Sequence, residues 1–207
     1  MLPFGPACGM LSPMDEHPRL PRSPDLMSRG DTALLVVDVQ ERLLPAIADG
    51  PQVVWNVRRL IDGARILGLP VVATEQYPQG LGPTVSELAQ RLGPVPAKLT
   101  FSCGGCPELF EDLRGRGIYK ILVCGTEAHV CVQQTVLDLL ADGWRVYVAA
   151  DAVGSRFDVD RRTALARMDS AGATLTTTEA ALFEWCEIAG SPEFKQISQL
   201  AREQGPS

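Results

Sequence analysis

Histidine is almost absent: the 207 residues contain two, His17 and His129. That is too few for the common His-based zinc centres, and no metal is expected. Basic charge is also short. Nineteen Lys and Arg face 25 Asp and Glu, a net charge of −6, which lacks the basic footprint of a general nucleic-acid binder. No stretch approaches the roughly 20 apolar residues of a membrane span. Neither the G-x-G-x-x-G fingerprint nor the P-loop pattern occurs, so no dinucleotide or nucleoside triphosphate is implied. No cofactor is expected, and there is no internal repeat. The six cysteines, Cys8, Cys103, Cys106, Cys124, Cys131 and Cys186, have no disulfide-framework spacing. With no apolar signal core near the start, they read as reduced and the protein as cytoplasmic.

What is present is an ordinary globular balance, 45% hydrophobic and 21% charged. Residues 1–30 hold Pro3, Pro6, Pro13, Pro18, Pro21 and Pro24 without a hydrophobic period and read as a disordered leader. Asp15, Glu16 and Asp25 argue against a mitochondrial transit peptide. Residues 31–207 read as one domain, long enough to bury a core without staples. There, strand and helix patterns alternate. Expected strands are Ala33–Asp38, Val71–Thr74, Ala97–Phe101, Ile118–Cys124, Trp144–Ala149 and Ala173–Thr176. Expected helices are Val53–Leu67, Val85–Leu92, Pro107–Arg116, Cys131–Ala141, Asp158–Ala171, Glu179–Glu187 and Pro192–Arg202. This order predicts an α/β fold with a mostly parallel sheet covered on both faces.

In such sheets sites form beyond the carboxyl ends of strands, at the point where strand order reverses. Asp38 closes the first strand and Cys131 follows the fourth, and in the common doubly wound order these strands are neighbours there. Cys131 stands where strand gives way to helix, a position that favours thiolate and nucleophilic catalysis; the alternative is a small buried core residue. Asp38 suits a base for that thiol and equally a helix cap. Lys98, in the neutral segment Pro96-Ala-Lys-Leu-Thr-Phe-Ser102, either snorkels to solvent or faces inward and stabilises a thiolate. Cys103-Gly-Gly-Cys106 reads as two small residues in a turn. His129 reads as a pocket or interface residue. Gln76 and Tyr77 are candidate pocket residues or ordinary loop. Leu43 is a candidate pocket wall or core.

Taken together, Leu35-Val-Val-Asp38-Val-Gln40, Lys98 before Thr100-Phe-Ser102, and Gly125-Thr-Glu-Ala-His-Val-Cys131 resemble the isochorismatase-like cysteine hydrolases. Thr74-Glu-Gln-Tyr77 with the loop to Thr84, and Asp151-Ala-Val-Gly-Ser-Arg156, extend the likeness, which covers residues 31 to about 203. The resemblance implies a three-layer αβα sandwich with a six-stranded parallel sheet in Rossmann-like order. It implies a triad of Asp38, Lys98 and Cys131, a cis Thr126–Glu127 peptide, and an oxyanion hole from the backbone N–H groups of Glu127 and Cys131. It also implies a small-molecule substrate, a C–N bond cleaved through a thioester, and a homodimer or larger homo-oligomer, with no membrane or nucleic-acid partner. The metal-dependent nicotinamidases of this family carry an Asp-x-His pattern after the second strand and a further histidine beyond, where this chain has Thr74-Glu-Gln-Tyr77 and no histidine nearby. True isochorismatases, which cleave a vinyl ether, lack the cysteine. A non-catalytic binding module and an isochorismate-type C–O hydrolase are the alternatives.

Overall fold

The computed structural model describes residues 20–206. Cys8, His17 and most of the expected leader lie outside that range. From Arg22 onward the chain is already tied down. Arg22 donates to the Glu184 carbonyl and Met27 is fully buried, so contact with the body begins before residue 31.

Six parallel strands form one sheet: β1 (Thr32–Val37), β2 (Val71–Gln76), β3 (Ala97–Lys98), β4 (Lys120–Thr126), β5 (Arg145–Gly154) and β6 (Thr174–Thr176). Their order is β3-β2-β1-β4-β5-β6, so the winding reverses between β1 and β4. Helices α1 (Gly50–Leu67), α7 (Thr178–Cys186) and α8 (Phe194–Ala201) cover one face. Helices α4 (Pro107–Gly115), α5 (Gln133–Ala141) and α6 (Asp158–Ser170) cover the other. Two short helices, α2 (Pro78–Leu81) and α3 (Ser86–Ala89), follow β2.

The strand sequences explain the two cores. In β1, Leu34 and Val36 pack with Val57, Leu60 and Trp185, while Ala33, Leu35 and Val37 pack with Leu113, Val136 and Met168. From Ala33 to Val37, a period of two with apolar residues facing both sides is what a doubly covered strand requires. β4 repeats the division, with Leu122 and Cys124 on one side and Ile121 and Val123 on the other. At the carboxyl end of β4, Gly125 has φ 116°, and a Cβ there would lie 2.1 Å from the Val37 carbonyl oxygen. Only glycine lets the two strand ends come this close beside Asp38.

Two elements differ from the sequence expectation in ways that matter. The third strand stops at Lys98, because the chain turns there and wraps its carbonyls back onto that side chain. The helix expected from Cys131 begins at Gln133, preceded by a wide turn at Ala128–Val132 in which the Val132 N–H reaches the Glu127 carbonyl five residues back. Cys131 therefore sits inside that turn. Among the described residues, no helix is long and apolar enough to cross a membrane.

Candidate active site

Asp38 is the first residue past β1 and is fully buried, with φ 50°. Asp tolerates that left-handed conformation better than most residues. Its carbonyl accepts from Thr126 Oγ1 at 2.8 Å, tying it to the end of β4. Its carboxylate is the centre of the site. Oδ2 accepts from Lys98 Nζ at 2.6 Å and Oδ1 from Thr74 Oγ1 at 2.8 Å. The Cys131 thiol lies near enough to the same carboxylate to feel its charge.

Lys98 faces inward; it is 4% exposed. Besides Asp38, its ammonium donates to Gln76 Oε1 and to the Phe101 carbonyl, both at 2.8 Å. Every ammonium hydrogen has an acceptor, which a buried cation needs. The Gln76 amide is itself fixed: Nε2 donates to the Leu99 carbonyl, and the backbone N–H donates to Gln40 Oε1. Buried Gln40 in turn donates to the Gly82 carbonyl and pins the loop after β2.

Burial pushes the Cys131 thiol well above its ordinary range, and the neighbouring Asp38 charge adds to this; Lys98 pulls the other way. These surroundings favour the thiol, whereas the helix-start position favours the thiolate. The Thr126–Glu127 peptide before it is cis. In the turn, the Val130 and Val132 N–H groups both go to the Glu127 carbonyl. The Cys131 N–H lies between them and is outside that pair.

Cys131 opens into a pocket of about 290 Å³, at the low end for small-molecule sites. Leu43, Ala46, Leu81, Phe101 and Val130 supply apolar walls; Gln76, Glu127 and Arg156 supply the polar edge. A larger recess of about 570 Å³ beside Trp55 has no cysteine in its lining. Of the expected pocket residues, Leu43 and Gln76 line it. Tyr77 does not: half-exposed, its ring lies over Gly80. His129 does not either: its Nδ1 pairs with Ser155 Oγ at 3.0 Å and its other nitrogen faces Asp160.

Thr74 and Cys103 were not singled out by residue pattern. Thr74 gives its one hydroxyl hydrogen to Asp38, so at 3.3 Å it accepts from the Cys103 thiol. One turn cysteine thus supports the carboxylate through a hydroxyl, which no spacing rule announces. Among the described residues, no group of three or more His, Cys, Asp or Glu side chains is placed to hold a metal ion.

An isochorismatase-domain family model matches residues 32–180. The chain belongs to the isochorismatase-domain family. Within this family it is 44% identical to isochorismatase domain-containing protein 2A of Mus musculus, covering 84% of each chain. Among solved structures, one described as the MAR1 ribonuclease of Caenorhabditis elegans superposes with a TM-score of 0.82 at 40% identity, over 88% of this chain and 95% of that one. YcaC from Pseudomonas aeruginosa, solved with hexane-2,5-diol and covalent acrylamide, gives a TM-score of 0.80 at 27% identity, over 88% of this chain and 94% of that one. The isochorismatase-like family is one of hydrolases, and the six-stranded parallel sheet is its fold.

Proposed function

We propose that this chain is a cysteine hydrolase that cleaves the C–N bond of a small amide through a thioester. The observation that carries the reading is the Asp38 carboxylate, held by the Lys98 ammonium and close to the Cys131 thiol that borders the pocket. Asp38 takes the thiol proton as sulfur bonds to the substrate carbonyl carbon. Lys98 balances the charge that develops. The carbonyl oxygen becomes an oxyanion, received by the N–H groups of Glu127 and Cys131. The C–N bond then breaks and the amine leaves with the proton held by Asp38. Water gives a proton to the same carboxylate and attacks the thioester, and the acid departs as sulfur regains its proton. The net reaction is amide plus water to acid plus amine.

The covalent acrylamide on the Pseudomonas relative fits a reactive nucleophile in that protein, since acrylamide adds through its C=C bond with the amide left intact. The five described cysteines are free, which suits a reducing cytoplasm. The resemblance carries the further expectation of a homo-oligomer.

The ribonuclease description of the Caenorhabditis relative gives a second reading. Against it stand the net charge of −6 and the pairing of both site cations, Lys98 with Asp38 and Arg156 with Glu127. The test is a turnover assay of the wild type and Cys131→Ala on primary amides, isochorismate and RNA. Cys131-dependent release of ammonia from an amide is expected. Isochorismate or RNA cleavage that survives Cys131→Ala, with no amide turned over, would overturn the reading.

A further inference from the structure

Glu127 is remarkable in no sequence pattern, and the cis peptide gives its backbone, not its side chain, a place in the mechanism. The side chain nevertheless lines the pocket and is only 9% exposed. Its Oε2 accepts from the Arg156 backbone N–H at 3.1 Å and from Arg156 Nε at 3.2 Å. Its Oε1 has no protein partner among the described residues. That oxygen is open to solvent, so water serves it until a donor on a bound ligand takes the water's place. Most other polar groups of the pocket are engaged, the exception being Nη1 and Nη2 of Arg156. The Gln76 amide is committed at both ends, Asp38 and Lys98 hold each other, and the remaining walls are apolar.

We infer that Glu127 Oε1 is a specificity contact, and that the substrate is a compact apolar amide carrying a second hydrogen-bond donor, an O–H or N–H, and no carboxylate. This rests on the amide-hydrolase reading of the same pocket. The donor requirement follows from the chemistry of a carboxylate, which accepts only. Rejection of a carboxylate follows because it would bring a second anion against Glu127. The Arg156 charge is already balanced by Glu127, so the incoming anion would meet no unbalanced cation there.

The inference is tested by binding, so that it does not depend on turnover. The protein used is Cys131→Ser, titrated calorimetrically with meta- and para-hydroxybenzamide, their methyl ethers, benzamide, and a carboxylate-bearing amide such as succinamate. The hydroxyl compounds are expected to bind roughly 10- to 100-fold more tightly than their ethers, as for a hydrogen bond to a charged group. Glu127→Gln in the same background should invert that order. Arg156 needs an acceptor, so it holds the new amide oxygen and turns the amide N–H₂ into the pocket, which then prefers the ether. Equal affinity for hydroxyl and ether, tighter binding of succinamate, or no binding of any member overturns the inference. Amide turnover by wild type without such discrimination leaves the hydrolase reading standing and removes only this contact.

Discussion

Among the described residues, two buried lysines pair with aspartates, one at each end of the sheet. At the amino end of β4, Lys120 Nζ meets Asp31 Oδ2 at 2.8 Å and the Leu26 carbonyl at 2.7 Å. At the carboxyl ends, Lys98 meets Asp38 at 2.6 Å. Both lysine side chains are 1% exposed. The surroundings differ. Asp31 spends itself on structure: besides Lys120 it takes the Ser28 N–H and the hydroxyls of Thr32 and Tyr119. Burial raises the Asp31 carboxyl, but Lys120, Thr32 and Ser28 outweigh it and hold the pKa below the ordinary range. That pair clamps residues 26–31 onto the sheet. Asp38 instead lies close to the Cys131 thiol, which borders a pocket. A buried ion pair is weak evidence of chemistry by itself; the neighbouring thiol and pocket are what the proposed mechanism uses at Asp38.

The comparison is broken most sharply by removing the nucleophile. Cys131→Ala should lower amide turnover by about 10⁴-fold or more, while circular dichroism and melting stay near wild type, since the thiol is not part of any structural clamp. Next come the two lysines. Lys98→Met should cut kcat/KM by roughly 10²–10⁴-fold. Lys120→Met should leave kcat/KM of the folded protein unchanged, yet lower unfolding free energy in urea by about 3–5 kcal/mol, as breaking a buried pair does. Equal kinetic damage from both would erase the distinction. A smaller effect is expected at Thr74→Val, which frees Asp38 Oδ1 from its orienting hydroxyl. A loss of roughly 10- to 100-fold in kcat is predicted, whereas Thr74→Ser should recover most of it.

The smallest effect concerns pH. Burial, then the Asp38 charge, pushes the Cys103 thiol up to about 11. Above the ordinary thiol value of about 8.5, the unfolded chain loses this proton while the folded protein keeps it. Stability is therefore complete below that value and falls as pH rises toward about 11. Cys103→Ala should flatten that part of the fall in Tm measured by calorimetry. At the other end of the sheet the sign reverses: the Asp31 contribution is present at neutral pH and lost as acid protonates it, and Lys120→Met should remove that acid limb.

Much of this was legible in the residues. The apolar run Ala33–Val37 demanded cover on both faces, and the two cores divide its side chains accordingly. A doubly wound order put the ends of the first and fourth strands side by side, and with them Asp38 and Cys131. Periodicity could not say which way Lys98 pointed, because a lysine leaving a two-residue strand has no face to obey. Nor could it find Thr74 or Cys103, whose roles depend on single rotamers in a crowded corner. Tyr77 and His129 were near the pocket in sequence, but their backbone turns away, toward Gly80 and Ser155. The start of α5 was missed by two residues, since the wide turn keeps a helical pattern of apolar positions while changing its hydrogen bonds. Lys120, inside an apolar strand, carried the signal that residues 26–31 are clamped; its partners were distant in the chain and could not be guessed.

The central claim is that sulfur at residue 131 becomes covalently acylated by an amide whose amine leaves. Rapid acid quench during turnover, followed by intact-mass measurement and peptide mapping, tests it directly. The account predicts a mass gain equal to the acyl group, without the amine, located on Cys131, lost on dilution and absent in Cys131→Ala. Steady amide hydrolysis with no such adduct at any quench time, and the same rate in Cys131→Ala, would contradict it.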